Sequence, residues 1–363
     1  MDRRTVMLGG SALALMAAAP RVSLANYAPK PAGWRSFEIT TKVVLPRGGK
    51  AAQAWVPVPA LAAEGWSRPG ETLWMTNAPE AELVEDTEQG ASFVHASWPE
   101  GEGNAEIEVI SVVATRDRAV SLTEGSEAVL SAEDRAHFTA PTALIPTNGI
   151  VLETAQGIVA GLDGELEKAR AIYDWVVEQT ERNPETRGCG LGDVASMLHM
   201  GDLTGKCADL NSLYVGLARA AGLPARDLYG IRVAPSAFGY KSLGAGSEVV
   251  TKAQHCRAEV FIDGIGWVPV DPADVRKVVL EEPPKTLTLG DEKVQDVRAA
   301  LFGASEGNWI AFGDAHDVVL PGAQDDTPLP FLMYPQAEID GTRRDELAPD
   351  EFVYTITARE LTA

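Results

Sequence analysis

The spacing of apolar residues changes once along this chain, and that change constrains the fold more than any other feature. In segments 37–45, 54–58, 91–98 and 105–113, β-branched and aromatic residues recur with partial two-residue alternation. Gly, Pro and acidic clusters separate these segments, and no helical period occurs before residues 141–146. After residue 148 the spacing becomes three and four. Helices are expected over 150–161 and over 165–182, where Leu166, Ala169, Ile172, Tyr173, Val176 and Val177 share a face. A short helix is expected over 193–200, and a longer one over 206–221. Gly205 breaks the chain before that longer helix, and Gly222 with Pro224 stops it. Strands follow at 226–233, 255–262 and 266–270, the last two forming a hairpin that turns at Asp263–Gly264. The tail mixes a helix over 291–301 with strands near 309–312, 331–334 and 352–356. The expected fold is α+β: a β-sandwich-like domain over 26–140, a second domain over 145–290, and an extension over 291–363 that packs on the second domain.

Residues 1–25 read as an export signal, outside the fold. Arg3 and Arg4 precede a Gly/Ala-rich apolar stretch over 6–19. Ser23 and Ala25 supply small residues at −3 and −1 of a cleavage site before Asn26. The stretch is shorter than the about 20 residues that span a bilayer, and no later run is long enough. The arginine pair resembles a twin-arginine signal. The mature protein is therefore expected in the periplasm or outside the cell, with no integral membrane segment.

Charge narrows the partners. With 52 Asp and Glu against 31 Lys and Arg, the net charge is −21. Such a surface repels phosphate backbones, so nucleic acid is not an expected partner. It favours cationic or neutral partners, though weakly. Three cysteines are too few for a disulfide scaffold, and their number is odd, so an oxidising compartment leaves at least one free thiol. Cys189 either pairs with Cys256 or both stay reduced. No metal-ligand spacing of His and Cys occurs and no cofactor is implied. Asp314, His316 and Asp317 form a weak metal motif. His95, His137 and His199 read as structural. Gly244–Ala245–Gly246 lacks the setting of a phosphate loop and reads as a loop before His255 that covers a cleft.

Cys207, His255 and Asp271 follow the order of nucleophile, base and orienting carboxylate. Cys207 stands in the first turn of its helix, where unpaired N–H groups and the macrodipole favour a thiolate. Lys206 adds a positive neighbour. The two strands of the hairpin bring His255 and Asp271 side by side, so that Asp271 can hold one imidazole nitrogen while the other takes the thiol proton. Read separately, the three are equally a small buried thiol, a surface His and the Asp of an Asp–Pro turn.

The residues around them resemble the bacterial transglutaminase-like family. The resemblance lies in Gly205-Lys206-Cys207-Ala208-Asp209, in Leu217 through Arg226 with Gly230, in His255 with Glu259-Val260, and in Gly266-Trp267-Val268-Pro269-Val270-Asp271-Pro272. Arg187-Gly188-Cys189-Gly190 and Asn308-Trp309-Ile310 are similar to segments of members with an N-terminal β domain. The resemblance implies a papain-like core with the Cys helix packed on an antiparallel sheet. It also implies Cys207 as nucleophile, His255 as base and Asp271 as orienter. Arg257 departs from the family, which carries an aromatic residue there, and strand alternation turns Cys256 away from His255. The implied activity is formation of an acyl-thioester at an amide of a peptide or protein, with hydrolysis expected ahead of amine transfer. A non-catalytic binding module is the other reading.

Overall fold

The computed structural model describes residues 26–86, 90–123, 125–348 and 350–362. The expected signal over 1–25 lies outside the described residues. Six N-terminal strands are β1 (Arg35–Leu45), β2 (Ala52–Pro57), β3 (Ser67–Thr76), β4 (Glu80–Asp86), β5 (Ala91–Trp98) and β6 (Ala105–Thr115). Four of them match the alternating segments. β3 and β4 were not expected: Arg68, Pro69, Gly70 and Glu71 in one, and the acidic run of the other, read as loop. A register shift between Pro69 and Thr72 lets β3 keep its pairing with β6.

The helices are α1 (Ala132–Thr139), α2 (Gly149–Ile158), α3 (Glu165–Gln179), α4 (Val194–Met200), α5 (Cys207–Ala220), α6 (Pro272–Glu281) and α7 (Glu292–Ala300). α1 corrects the expectation of no helix before residue 141. It buries no residue and so shows no apolar stripe. Its only sequence signal is its cap, where Ser131 Oγ accepts from the Asp134 N–H at 3.0 Å. α5 is the central helix, with 13 of its 14 residues buried. It lies on an antiparallel sheet of β7 (Ala225–Arg232), β8 (Gln254–Ile262), β9 (Gly266–Val270) and β10 (Trp309–Gly313), in the order β9-β8-β7-β10. Helices α2, α3 and α6 close over the other side of α5 around Ile172, Tyr173, Val176, Leu213, Tyr214 and Leu217.

The tail does not simply pack on the second domain. Its first part does: β10 is the edge of the core sheet. Its last part returns to the N-terminal sheets. β11 (Gln336–Ile339) pairs with β2, and β12 (Val353–Leu361) pairs with β1 along nine positions. The sandwich therefore has sheets β12-β1-β6-β3 and β11-β2-β5-β4, with a short Thr342–Arg343 strand beyond β11. The reason is edge chemistry: without the tail, β1 and β2 would leave unpaired ladders.

Candidate active site

The start of α5 is built by one carboxylate. Asp209, at the third helical position, accepts from the Lys206, Leu191 and Gly192 N–H groups, each at 3.0 Å. These bonds draw the 189–192 loop and the residue before the helix onto one side chain. Gly190 and Gly205 leave the room for it: a Cβ on them would stand 1.9 Å and 2.5 Å from Asp209 Oδ2. The Ala208 N–H then donates to the Cys189 carbonyl at 2.9 Å. That N–H is committed, whereas the Cys207 N–H has no hydrogen-bond partner among the described residues.

The hairpin delivers His255 and Asp271 together. β8 and β9 pair from Ile262↔Gly266 to Ala258↔Val270, and Asp271 follows directly. Asp271–Pro272 is not a turn dipeptide but a helix start. Asp271 caps α6 by accepting from the Asp274 N–H at 3.0 Å, and Pro272 takes the first helical position. His255 Nε2 and Asp271 Oδ2 share a 2.7 Å hydrogen bond. This fixes the ring and leaves Nδ1 for the Cys207 proton.

Several partners were invisible in the sequence. Asp274 Oδ2 stands 3.4 Å from His255 Nε2, and Arg232 Nη2 donates to both Asp274 oxygens at 2.6 and 2.8 Å. Asn211 Nδ2 donates to the Cys256 carbonyl at 2.8 Å and to Asp271 Oδ1 at 3.3 Å. Trp309 Nε1 donates to the His255 carbonyl at 2.9 Å. The Arg257 guanidinium lies over the Trp309 ring at 4.7 Å, with Nε 3.9 Å from Asp271 Oδ2. The familiar Asn308-Trp309-Ile310 block and the departure at Arg257 thus form one support for the His255–Asp271 pair.

The three thiols converge, and none is in a disulfide. The Sγ atoms of Cys189, Cys207 and Cys256 lie within 4.8 Å of one another. Alternation along β8 does not remove Cys256 from Cys207, because β8 lies directly under α5. Hydrogen bonds from Cys189, then from Cys256, hold the Cys207 thiol well below its ordinary pKa. His255 adds to this, while burial opposes it. Cys189 is raised, first by its bond to Cys207, and Cys256 is raised, first by burial. Burial and Arg232 act to lower His255, but Asp274 and Asp271 outweigh them and push it up to about 9. The geometry therefore favours a Cys207 thiolate beside a His255 imidazolium.

Cys207 and His255 line a cavity of about 610 Å³. Gly244, Ala245 and Gly246 form part of its wall, in keeping with a loop over a cleft. Tyr354 of β12 and Tyr334 before β11 form another part, so the returning tail helps shape the site. The wall is cationic: Arg182, Arg187, Lys206, Arg232, Lys252 and Lys277 against a single carboxylate, Glu346. His95 and His316 have other partners. His95 stacks on Trp55 with rings 1° apart and bonds to Gln53 Oε1 at 2.8 Å. The Asp314–Asp317 motif does not converge on a metal. Asp314 bonds to Arg226, Asp317 accepts from the Ala143 N–H, and His316 meets Tyr229 and Asp227.

With this geometry in view, similarity to known proteins becomes informative. The transglutaminase-like superfamily core matches residues 152–272, which contain all three of Cys207, His255 and Asp271. An uncharacterized protein of Haemophilus influenzae is 35% identical over 341 residues, covering 90% of this chain and 91% of the relative. A candidate cysteine protease from Cytophaga hutchinsonii has a similar fold, with a TM-score of 0.50 and 18% identity. That match covers 91% of this chain and 99% of the other. The periplasmic domain of TgpA from Pseudomonas aeruginosa aligns over 68% of this chain and 88% of its own, at 17% identity and a TM-score of 0.33. The chain belongs to the transglutaminase-like superfamily.

Proposed function

We propose that this protein is an exported cysteine amidase or peptidase whose residues 145–290 form the catalytic core. One observation carries the reading: a buried thiol at a helix start and a His–carboxylate pair joined by a 2.7 Å hydrogen bond share the wall of a large cavity. Cys207 is the nucleophile, His255 the acid and base, and Asp271 the group that orients it. The Cys207 thiolate attacks the carbonyl carbon of an amide. The Cys207 N–H stabilises the oxyanion, and the His255 imidazolium protonates the leaving amine, giving an acyl-thioester. His255 then takes a proton from water, which attacks the thioester and releases the acid. Water as the second nucleophile is supported by the cavity, whose volume far exceeds the about 30 Å³ that one water occupies.

Three measurements test this. Cys207→Ala and Cys207→Ser abolish turnover of any peptide the wild type cleaves, and full activity in either ends the assignment. Mass analysis of products formed with and without added primary amine separates hydrolysis from transfer, since an amine-bearing product would make the protein a transferase. Iodoacetamide alkylates Cys207 well below pH 8 if the thiol is activated, and an unreactive thiol supports a binding module instead. Export is tested by sequencing the mature N-terminus, expected at Asn26, and by Arg3→Lys with Arg4→Lys, which blocks a twin-arginine route.

A further inference from the structure

We propose that the cleft selects amide substrates carrying carboxylates, that is, acidic peptides. This rests on the amidase reading and adds the class of substrate. Across the whole chain carboxylates outnumber cations 52 to 31, yet the cavity wall reverses the ratio to one against six. A net charge of −21 makes acidic patches the default on this surface, so a cationic wall around the nucleophile is a local departure that needs a cause.

Four of the six cations already have protein partners. Arg182 is paired with Glu281 and Arg187 with Asp345, while Arg232 is held by Asp274 and Lys277 Nζ stands 3.9 Å from Glu281 Oε2. Lys206 and Lys252 are different. Among the described residues, neither has a carboxylate within ion-pair distance. Lys206 directly precedes the nucleophile and is half-buried. Lys252 stands three residues before the base and is exposed. One unpaired lysine thus flanks each half of the reacting pair in sequence, and both line the cavity the substrate must occupy. Glu346 does not neutralise them, because it is in ion-pair range of neither. At 0.1 M salt, charges beyond about 10 Å are screened. The acidic exterior therefore does not cancel attraction inside the cleft, and selection acts on the bound substrate.

A carboxylate on a side chain and one at a peptide's free C-terminus share one chemistry. The test uses three internally quenched peptides of one scaffold: acidic side chains with an amidated end, neutral side chains with a free carboxylate end, and neutral side chains with an amidated end. The expected result is a KM for at least one anionic peptide about fivefold below that of the uncharged one, the size of one recovered ion pair. Which peptide gains identifies the source. In Lys252→Glu the ratio of anionic to neutral KM rises above one, and that ratio, not either constant alone, is the readout. Equal KM values across the series, or a ratio that Lys252→Glu leaves in place, overturn the proposal. If no peptide is cleaved, the amidase reading is in question, and protection of Cys207 from iodoacetamide then reads binding alone. Stronger protection by the anionic peptides supports the proposal, and equal protection overturns it.

Discussion

The sandwich and the cleft end of the core bury very different chemistry. Between the two N-terminal sheets lie Val43, Leu45, Val56, Val94, Ile107 and Val109, hydrocarbon packed on hydrocarbon. Beneath the cleft lie Arg232, His255, Arg257, Asp271 and Asp274, none more than 6% exposed. The first arrangement gains stability from each methylene removed from water. The second costs desolvation that only mutual pairing offsets. The lesson is that one chain tolerates an expensive charged cluster where it holds His255 against Asp271, and relies on apolar burial elsewhere.

Substitutions can break this comparison. The largest expected effect is on chemistry: Asp271→Asn lowers kcat by about 10³- to 10⁴-fold by removing the group that sets the His255 tautomer, measured on any cleaved peptide. A loss under tenfold would remove Asp271 from the orienting role. Next is Arg232→Met, expected to cost about 3–5 kcal/mol in urea unfolding, because it strands Asp274 in the interior. Adding Asp274→Leu should recover most of that stability. If the double variant stays as unstable as the single one, packing and not charge pairing dominates there. Ile107→Val in the sandwich should cost only about 1 kcal/mol. A loss as large as that of Arg232→Met would erase the contrast between the two regions. The smallest effect is on titration. Cys189→Ala removes the foremost hydrogen bond that lowers Cys207, so the alkylation profile of Cys207 moves to higher pH. An unmoved profile would show that Cys256 and His255 sustain the thiolate without Cys189.

The direction of pH dependence follows from the same groups. Cys207 is lowered and His255 raised to about 9, so the thiolate–imidazolium pair exists between the two. Activity should fall as pH rises through about 9, where His255 loses the proton it gives to the leaving amine. It should fall again only well below the ordinary thiol range. A rate that keeps rising past pH 10 would contradict an imidazolium acid.

Legibility in the sequence differed between local and convergent features. The α5 and β8–β9 segments were readable because glycine, proline and apolar spacing mark them locally. α1 escaped because it buries nothing, and α6 because Asp271–Pro272 serves a turn and a helix cap equally well. β4 escaped because acidic strands look like loops when their partner strand is unknown. Asp274, Arg232 and Asn211 carry no signal of their own. Their roles depend on α6, β7 and α5 meeting at one point.

The order Cys207, His255, Asp271 and the change from two-residue to helical spacing were determined by sequence alone, since the first is linear order and the second depends on neighbours a few residues apart. The resemblance of those blocks to the transglutaminase-like family came from the same short stretches. Only the tertiary structure decided that the tail closes the sandwich, that three thiols share one corner, and that an acidic chain lines its cleft with cations. Each of these joins residues tens to hundreds of positions apart. Such proximity is set by packing and strand pairing, which no local pattern encodes.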